Sequence, residues 1–276
     1  MDRAANSFRV LTHLVQVPRA PVSFFVENLW LVRGRVPTPS RQMLLPDGAF
    51  VVMFNLGDPQ KLCAREDVRR TTDFHASWIS GQQTKPLVIE QSGSYHLIGI
   101  RFRPGGAYPL FGASLAKFTG HVIELEHLWG RDARRLREQL HEQPDDRSLL
   151  RHLESWLQSR LDERNDTRIA TAARLLREGR AVGAIAAALN CSRKHLTQQF
   201  TRQVGLTPKV YGRVQRLQRV IAWIGQRPSV TWSDAALSNG FYDQAHLVNE
   251  FQDLAGLSPN DYLARRTPYL GYLNVA

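Results

Sequence analysis

The side chains in this sequence with the most chemistry to offer sit together on one helical face. Advancing 100° per residue from Ser192 places Leu196, Phe200 and Val204 on one side of a helix. Lys194, Gln198, Thr201 and Arg202 fall roughly opposite, with Thr197 at the flank. Such a face can donate and accept hydrogen bonds and attract anions; it holds no nucleophile paired with a base. Elsewhere the signals for covalent or metal chemistry are weak. Gly105-Gly106 lacks the Gly-Lys-Ser/Thr ending of a phosphate loop and reads as a strand-to-helix turn. His13, His75, His96, His121, His127, His141 and His152 show no clustered ligand spacing, and no serine or cysteine sits in a nucleophile elbow. His195 and His246 invite a metal reading but occupy positions beside a buried leucine, where packing is the better account. Cys191 lies at an apolar position between turn and helix and is expected to be buried and inert.

Charge gives that polar face a partner. The 276 residues carry 36 Lys and Arg against 25 acids, a net charge of +11. The segment Gly179–Ser233 holds nine basic residues (Arg180, Arg193, Lys194, Arg202, Lys209, Arg213, Arg216, Arg219, Arg227) and no acid. A basic block inside well-patterned sequence points to a polyanion, most simply nucleic acid. A merely solvated surface remains the alternative on charge alone. The longest apolar stretches are a few residues, too short to span a membrane, and the first thirty residues show no secretory leader. Two cysteines, Cys63 and Cys191, cannot build a disulfide scaffold or a four-ligand zinc site. A soluble protein of a reducing compartment is expected.

The chain is long enough for two domains at roughly 100–200 residues each. Leu29-Trp30-Leu31-Val32, Phe50–Phe54, Leu87-Val88-Ile89 and His96–Ile100 are β-branched or aromatic runs. Pro37, Pro39, Pro46-Asp47-Gly48, Gly57-Asp58-Pro59 and Ser92-Gly93 punctuate them. They predict an antiparallel β barrel or sandwich. After Arg103-Pro104-Gly105-Gly106 the pattern turns helical, most clearly at Leu149, Leu150, Leu153, Trp156, Leu157 and Leu161. The polar run Asp162–Asp166 reads as a linker, and beyond it only helices are expected. The overall class is α+β: a β-rich domain over 1–164 ending in helices, an all-α domain over 165–266, and a tail over 267–276.

The helical half repeats itself at an offset of 51 residues. His195, Leu196, Phe200, Gly205, Leu206, Pro208 and Tyr211 recur as His246, Leu247, Phe251, Gly256, Leu257, Pro259 and Tyr262. Each copy reads as helix, tight turn, helix, the unit that places a helix in a DNA groove. Asn190 and Gly240 supply the left-handed turn position, and Ser192 and Asp243 cap the second helix. Gly205 and Gly256 end it, and Thr207-Pro208 and Ser258-Pro259 start the next. The connecting helix, Pro208 to about Ile224, carries an apolar stripe and a separate arc of Lys209, Arg213, Arg216 and Arg219. At about 1.5 Å per residue it spans roughly 25 Å, an order of length that sets two helices near one DNA turn apart.

From about Asp166 to Arg266 the chain resembles the tandem helix-turn-helix module of the AraC/XylS transcription regulators. The matching residues are Ile185-Ala186 with Ser192 and Leu196, then Gly240–Leu247 through Phe251, Gly256 and Ser258-Pro259. Asn190 departs from the family's usual glycine. In the first half, Glu27-Asn28-Leu29-Trp30, Leu45-Pro46-Asp47-Gly48 and Arg101–Gly106 resemble an uncharacterised barrel domain often placed before this module. The resemblance implies a cytoplasmic regulator that binds double-stranded DNA, senses a small effector through its first domain and contacts RNA polymerase. A homodimer is implied too, with Arg131–Gln143 and Ser148–Leu161 as candidate interface helices. No cofactor or metal is implied.

Carried over by resemblance, the base-reading positions are Lys194, Thr197 and Gln198, with Gln244 and Asn249 on the corresponding face of the second copy. Lysine can donate to guanine, glutamine can pair bidentately with adenine, and a threonine methyl can meet that of thymine. Ser192, Arg193, Arg202, Lys209, Arg213 and Arg216 are expected at phosphates. Asp234–Ala264 holds five acids and no Lys or Arg. Of these, Glu250 and Asp253 have no capping role and are expected near the DNA side, so the first copy and connecting helix should supply nearly all phosphate contacts. Phe25, Trp30, Phe50, Phe54, Trp78 and Phe102 could line an effector pocket or form ordinary core. The alternative function is a DNA-binding protein whose barrel is a metal- or ligand-dependent enzyme.

Overall fold

The computed structural model describes residues 9–161, 167–227, 229–267 and 271–275. The expected linker Asp162–Asp166, and with it the 164/165 boundary, lies outside the described residues. The first half contains strands β1 (Arg9–Gln16), β2 (Val26–Leu44), β3 (Phe50–Asn55), β4 (Gln60–Cys63), β5 (Thr71–Phe74), β6 (Ser77–Ser80), β7 (Leu87–Phe102) and β8 (Val122–Glu124). Helices α1 (Tyr108–Phe111), α2 (Glu126–Trp129), α3 (Arg131–His141) and α4 (Asp146–Arg160) complete it. The strands form one antiparallel sheet in the order β1-β2-β7-β3-β6-β8, with β4 joining β5 to β7.

Two long strands organise this sheet. The runs Leu87–Ile89 and His96–Ile100 are one strand, β7, and the expected turn at Ser92-Gly93 is a bend within it. Its partner β2 slips register between Val36 and Ser40, opposite Gly93 at φ +74°. Pro37 and Pro39 lie inside that irregularity, where a missing N–H removes no ladder bond. The sheet therefore bends without breaking.

One face of the sheet packs on helices. Phe25, Phe50, Phe54 and Phe102 share a core with Leu136 and Leu140 of α3 and Leu149, Leu150, Leu153 and Leu157 of α4. Trp30 and Trp78 belong to a second cluster with Phe74, Tyr95 and Leu97. The six aromatics thus split between two cores. The apolar stripes of α3 and α4 are buried against their own sheet, so the stripes themselves no longer argue for a dimer.

The second half contains α5 (Thr167–Arg177), α6 (Val182–Ala188), α7 (Arg193–Val204), α8 (Pro208–Gly225), α9 (Trp232–Ser238), α10 (Gln244–Ala255) and α11 (Pro259–Arg265). The expectation of helices alone fails at the end of the chain. Tyr272–Val275 form a strand, β9, which pairs antiparallel with Arg41–Leu44 of β2. Four residues carry too weak a pattern to read as a strand unless the edge that receives them is known.

Gly99 shows how tightly the second cluster is built. A Cβ at Gly99 would lie 2.0 Å from Cε2 of Trp30, its cross-strand partner, so the indole lies flat on bare backbone. Gly99→Ala should lower unfolding free energy by about 1–3 kcal/mol, the usual cost of overpacking, as read by urea denaturation. A wild-type midpoint would show that the indole is free to move aside.

Candidate nucleic-acid interface

The repeat seen in the sequence is a repeat of local geometry. Ser192 accepts from the His195 N–H at 3.1 Å, and Asp243 accepts from the His246 N–H at 2.7 Å. Asn190, at φ +50°, and Gly240, at φ +77°, provide the left-handed turns. Gly205 and Gly256 end α7 and α10 in left-handed conformation. Thr207 caps α8, and Ser258 caps α11 in a capping box with Asp261. Even the ring contacts recur: Phe200 meets Tyr211 edge-on at 5.4 Å, and Phe251 meets Tyr262 at 5.6 Å. These anchors fix the outward faces of α7 and α10.

On α7, Ser192, Arg193, Lys194, Gln198 and Arg202 are exposed and Thr197 is half-buried. Arg193, Lys194, Thr197, Gln198, Thr201 and Arg202 line one open cleft together with Ser114. The structure thus gathers the first-copy base-reading candidates and two of the phosphate candidates on one surface. Ser114 and Tyr108 were not foreseen, because they reach α7 from the other half. Arg202 stacks over the Tyr108 ring, 5.3 Å from its centroid. On α10, Gln244, Ala245, Asn249 and Gln252 are exposed, and Gln244 is in contact with Ser233 at 3.2 Å. Tyr242, 89% exposed at the turn before α10, is the most open large apolar side chain near that face.

Arg213 and Arg216, expected at phosphates, are paired with carboxylates of this chain. Arg216 donates to both oxygens of Glu250 at 2.9 and 2.7 Å, and its guanidinium lies over the Phe241 ring. Arg213 donates to Glu250 at 3.3 Å and to Asp253 at 2.6 Å. Arg219 donates to the carbonyls of Arg177 and Asn239. The basic arc of α8 is turned toward neighbouring helices and satisfies their carboxylates and end carbonyls. Lys209 remains exposed.

Glu250 and Asp253 are corrected with them. Glu250 is buried at 6% side-chain exposure between the two arginines. Asp253 is held by Arg213 and by Lys85, whose ammonium also donates to the Asp253 carbonyl. Lys85 first and Arg213 second keep the Asp253 carboxyl below the ordinary Asp range. Burial alone would lower the pKa of Arg213, but its bonds to Asp253 and Glu250 hold it above the usual value. Sequence spacing could not reveal these pairs, since 37 and 40 positions separate their members.

The histidines divide. His246 packs edge-on against Phe241 at 5.3 Å and accepts from the Tyr242 N–H, as the packing reading expects. His195 is exposed, so packing does not account for it. Cys191 is half-buried rather than fully covered, and Cys63 is buried with its thiol pKa pushed up by burial. Among the described residues, no group of three or more His, Cys, Asp or Glu is placed to hold a metal ion. None of the described helices is long and apolar enough to cross a membrane.

Residues 185–265 match the family model described as "Helix-turn-helix domain", and residues 15–124 match a domain of unknown function, DUF6597. No curated protein matches. Among solved structures, ToxT from Vibrio cholerae aligns over 86% of this chain and 98% of its own, at 11% identity and a TM-score of 0.46. An unsaturated-fatty-acid-bound ToxT from the same organism aligns over 92% and 96%, at 9% identity and a TM-score of 0.43. CuxR, an AraC-like transcriptional activator, aligns over 75% and 86%, at 16% identity and a TM-score of 0.27. With TM-scores below 0.5, none of these likenesses carries an argument about this chain.

The ion pairs make two predictions. Glu250→Ala leaves Arg213 and Arg216 without their shared acceptor and should cost about 1–3 kcal/mol of stability in chemical denaturation. Unchanged stability would show that solvent replaces the carboxylate at no cost. Asp253 has a depressed folded pKa, so its contribution is present above the ordinary Asp range and is lost as pH falls through the folded value. Asp253→Asn should therefore flatten the acid limb of the stability profile and lower stability at neutral pH. An acid limb unchanged by the substitution would remove Asp253 from that role.

Proposed function

We infer that this chain, whose residues 185–265 match a helix-turn-helix domain and whose motifs resemble those of the AraC/XylS regulators, is a sequence-specific DNA-binding regulator of transcription of that type. The observation that carries the reading is the first unit. Lys194, Thr197 and Gln198 stand on the outward face of a capped helix that follows a tight turn, flanked by exposed Ser192, Arg193 and Arg202. In the proposal Lys194 and Gln198 meet base edges, Thr197 supplies a methyl contact, and Ser192, Arg193, Arg202 and Lys209 meet phosphates. Gln244 and Asn249 read the second groove segment.

The β-rich half with α1–α4, residues 1–164, is proposed as the controlling domain and 165–266 as the reading domain. A small effector bound by the controlling half, a homodimer and a contact with RNA polymerase belong to the same proposal. They rest on family type. The proposal is of a regulator rather than an enzyme, and it needs no metal or cofactor.

Selection of bound duplexes from a random-sequence library with the full chain tests the reading. Lys194→Ala and Gln198→Ala should each relax preference at one or two positions, by about 1–3 kcal/mol per lost base contact. Lys209→Ala should weaken all sequences alike and reduce the slope of log affinity against log salt by about 0.9. Failure of the full chain to enrich any sequence, and to bind duplex DNA at low salt, would overturn the proposal.

A further inference from the structure

The three motifs of the first half that resemble the uncharacterised domain converge on one place, the joint with the helical half. Arg101 donates to Glu27 at 3.1 Å and to Asp47 at 2.6 Å, tying three separate segments together. The carbonyls of Pro46 and Asp47 accept from Gln218 and Gln215 of α8 at 2.7 and 2.9 Å. A Cβ at Gly48 would touch Tyr211, and one at Gly105 would touch Ile169.

Over this joint runs the chain's last strand. β9 pairs with Arg41–Leu44 of β2, and the Leu45 N–H donates to the Gly271 carbonyl at 2.9 Å. Among the described residues, β1 pairs with β2 only over Leu29–Arg35, so β9 takes a stretch of edge that no other described strand covers. Leu273 is 1% exposed and shares the helical half's core with Leu45 of the first half. A strand that belongs by sequence to one half thus completes the sheet of the other.

On the far side of the joint, closure covers part of the reading helix. Thr119 donates to the Gly205 carbonyl at 2.7 Å, and the turn Leu115–Phe118 packs against α7. Thr201 lies on the outward face of α7, yet its hydroxyl is buried without a hydrogen-bond partner. The side-chain oxygen of Gln82, beside Gly205, is in the same condition. Buried polar atoms left unpaired oppose burial. The closed joint therefore works against itself at this point and needs a holding contact elsewhere.

We propose that β9 is a clasp: its pairing with β2 holds the first half over the Thr201–Arg202 end of the reading helix, and its release opens that end to DNA. The inference rests on the DNA-binding reading and adds to it the element that sets how much of the face is available. Opening satisfies Thr201 and Gln82 and frees Arg202 from Tyr108 for a phosphate.

The test uses two opposed variants of the full chain and a mixed-sequence duplex long enough for both units. A chain ending at Gly271 lacks the clasp. It should bind about tenfold tighter, within the usual range of coupling between two sites. Its salt dependence should be steeper by about one phosphate contact. Its radius of gyration by small-angle scattering should rise. Gln42→Cys with Asn274→Cys, which face each other across the β2–β9 ladder, locks the clasp on oxidation. The oxidised form should bind more weakly than its own reduced form, while Gln42→Cys alone should not respond. If loss of buried Leu273 unfolds the shortened chain, as circular dichroism would reveal, the disulfide pair decides. Equal affinity in oxidised and reduced forms, or an unchanged radius and salt slope in a folded shortened chain, would overturn the clasp. A change in radius with no duplex binding by any form would keep the joint and sink the DNA reading.

Discussion

A carboxylate taken out of water has to be paired, and Glu250 is the residue on which the helical half turns. It sits on α10 at 6% side-chain exposure, with Arg213 and Arg216 of α8 closing on it. Once that pairing exists, Arg213 and Arg216 face inward, toward the second unit, while Lys209 stays exposed. Arg219 follows one turn later and takes up the end carbonyls of α5 and α9. The opposite side of α8 then has to serve the rest of the protein. There Tyr211 meets Phe200 of the first unit, while Gln215 and Gln218 reach the first half's carbonyls. The buried charge thus holds one side of α8 against α10, and the opposite side is the one that the β-rich half docks on.

This arrangement explains which parts of the fold the sequence made legible. Caps, terminating glycines and the left-handed Asn190 are decided within a few residues, so the repeat could be read position by position. The strand runs were legible for the same reason, but their number was not. Whether Ser92-Gly93 turns the chain or only bends it depends on β2 lying alongside with its own register slip at Val36–Ser40. The inward arginines and β9 were illegible in principle. A helical wheel shows that Arg213 and Arg216 share a face; it cannot show that a carboxylate tens of residues away owns that face.

The same limit applies to the site. Lys194, Thr197 and Gln198 could be placed because helix geometry alone carries them to one surface. Tyr108, Ser114 and Lys85 touch α7 and α10 from another domain, and nothing in their local sequence marks them. The motifs around Glu27, Asp47 and Arg101 were visible as patterns, but their chemistry was not. It consists of an ion triad beside which two backbone carbonyls and Gly48 meet α8, while Gly105 meets Ile169 of α5. The halves meet through polar contacts as well as apolar ones, with Gln215 and Gln218 of α8 donating to the carbonyls of Asp47 and Pro46.

The two reading units differ for a reason other than the one charge counting suggests. Glu250 in the interior and Asp253 at the surface are both paired with cations of this chain, so their charges are offset before any phosphate is met. What it lacks is cations: Asp234–Ala264 contains no Lys or Arg, and its exposed face offers Gln244, Asn249 and Gln252. The nearest arginines are committed to holding α10 in place. As a proposed reading surface, the second unit can therefore recognise but not attract, whereas the first carries Arg193, Lys194 and Arg202 on its candidate face. Attraction acts at a distance and hydrogen bonding only in contact. In the proposed regulator, encounter with DNA then falls to the first unit and register to the second. On that proposal, the coverage of α7 rather than of α10 is the point at which control would act.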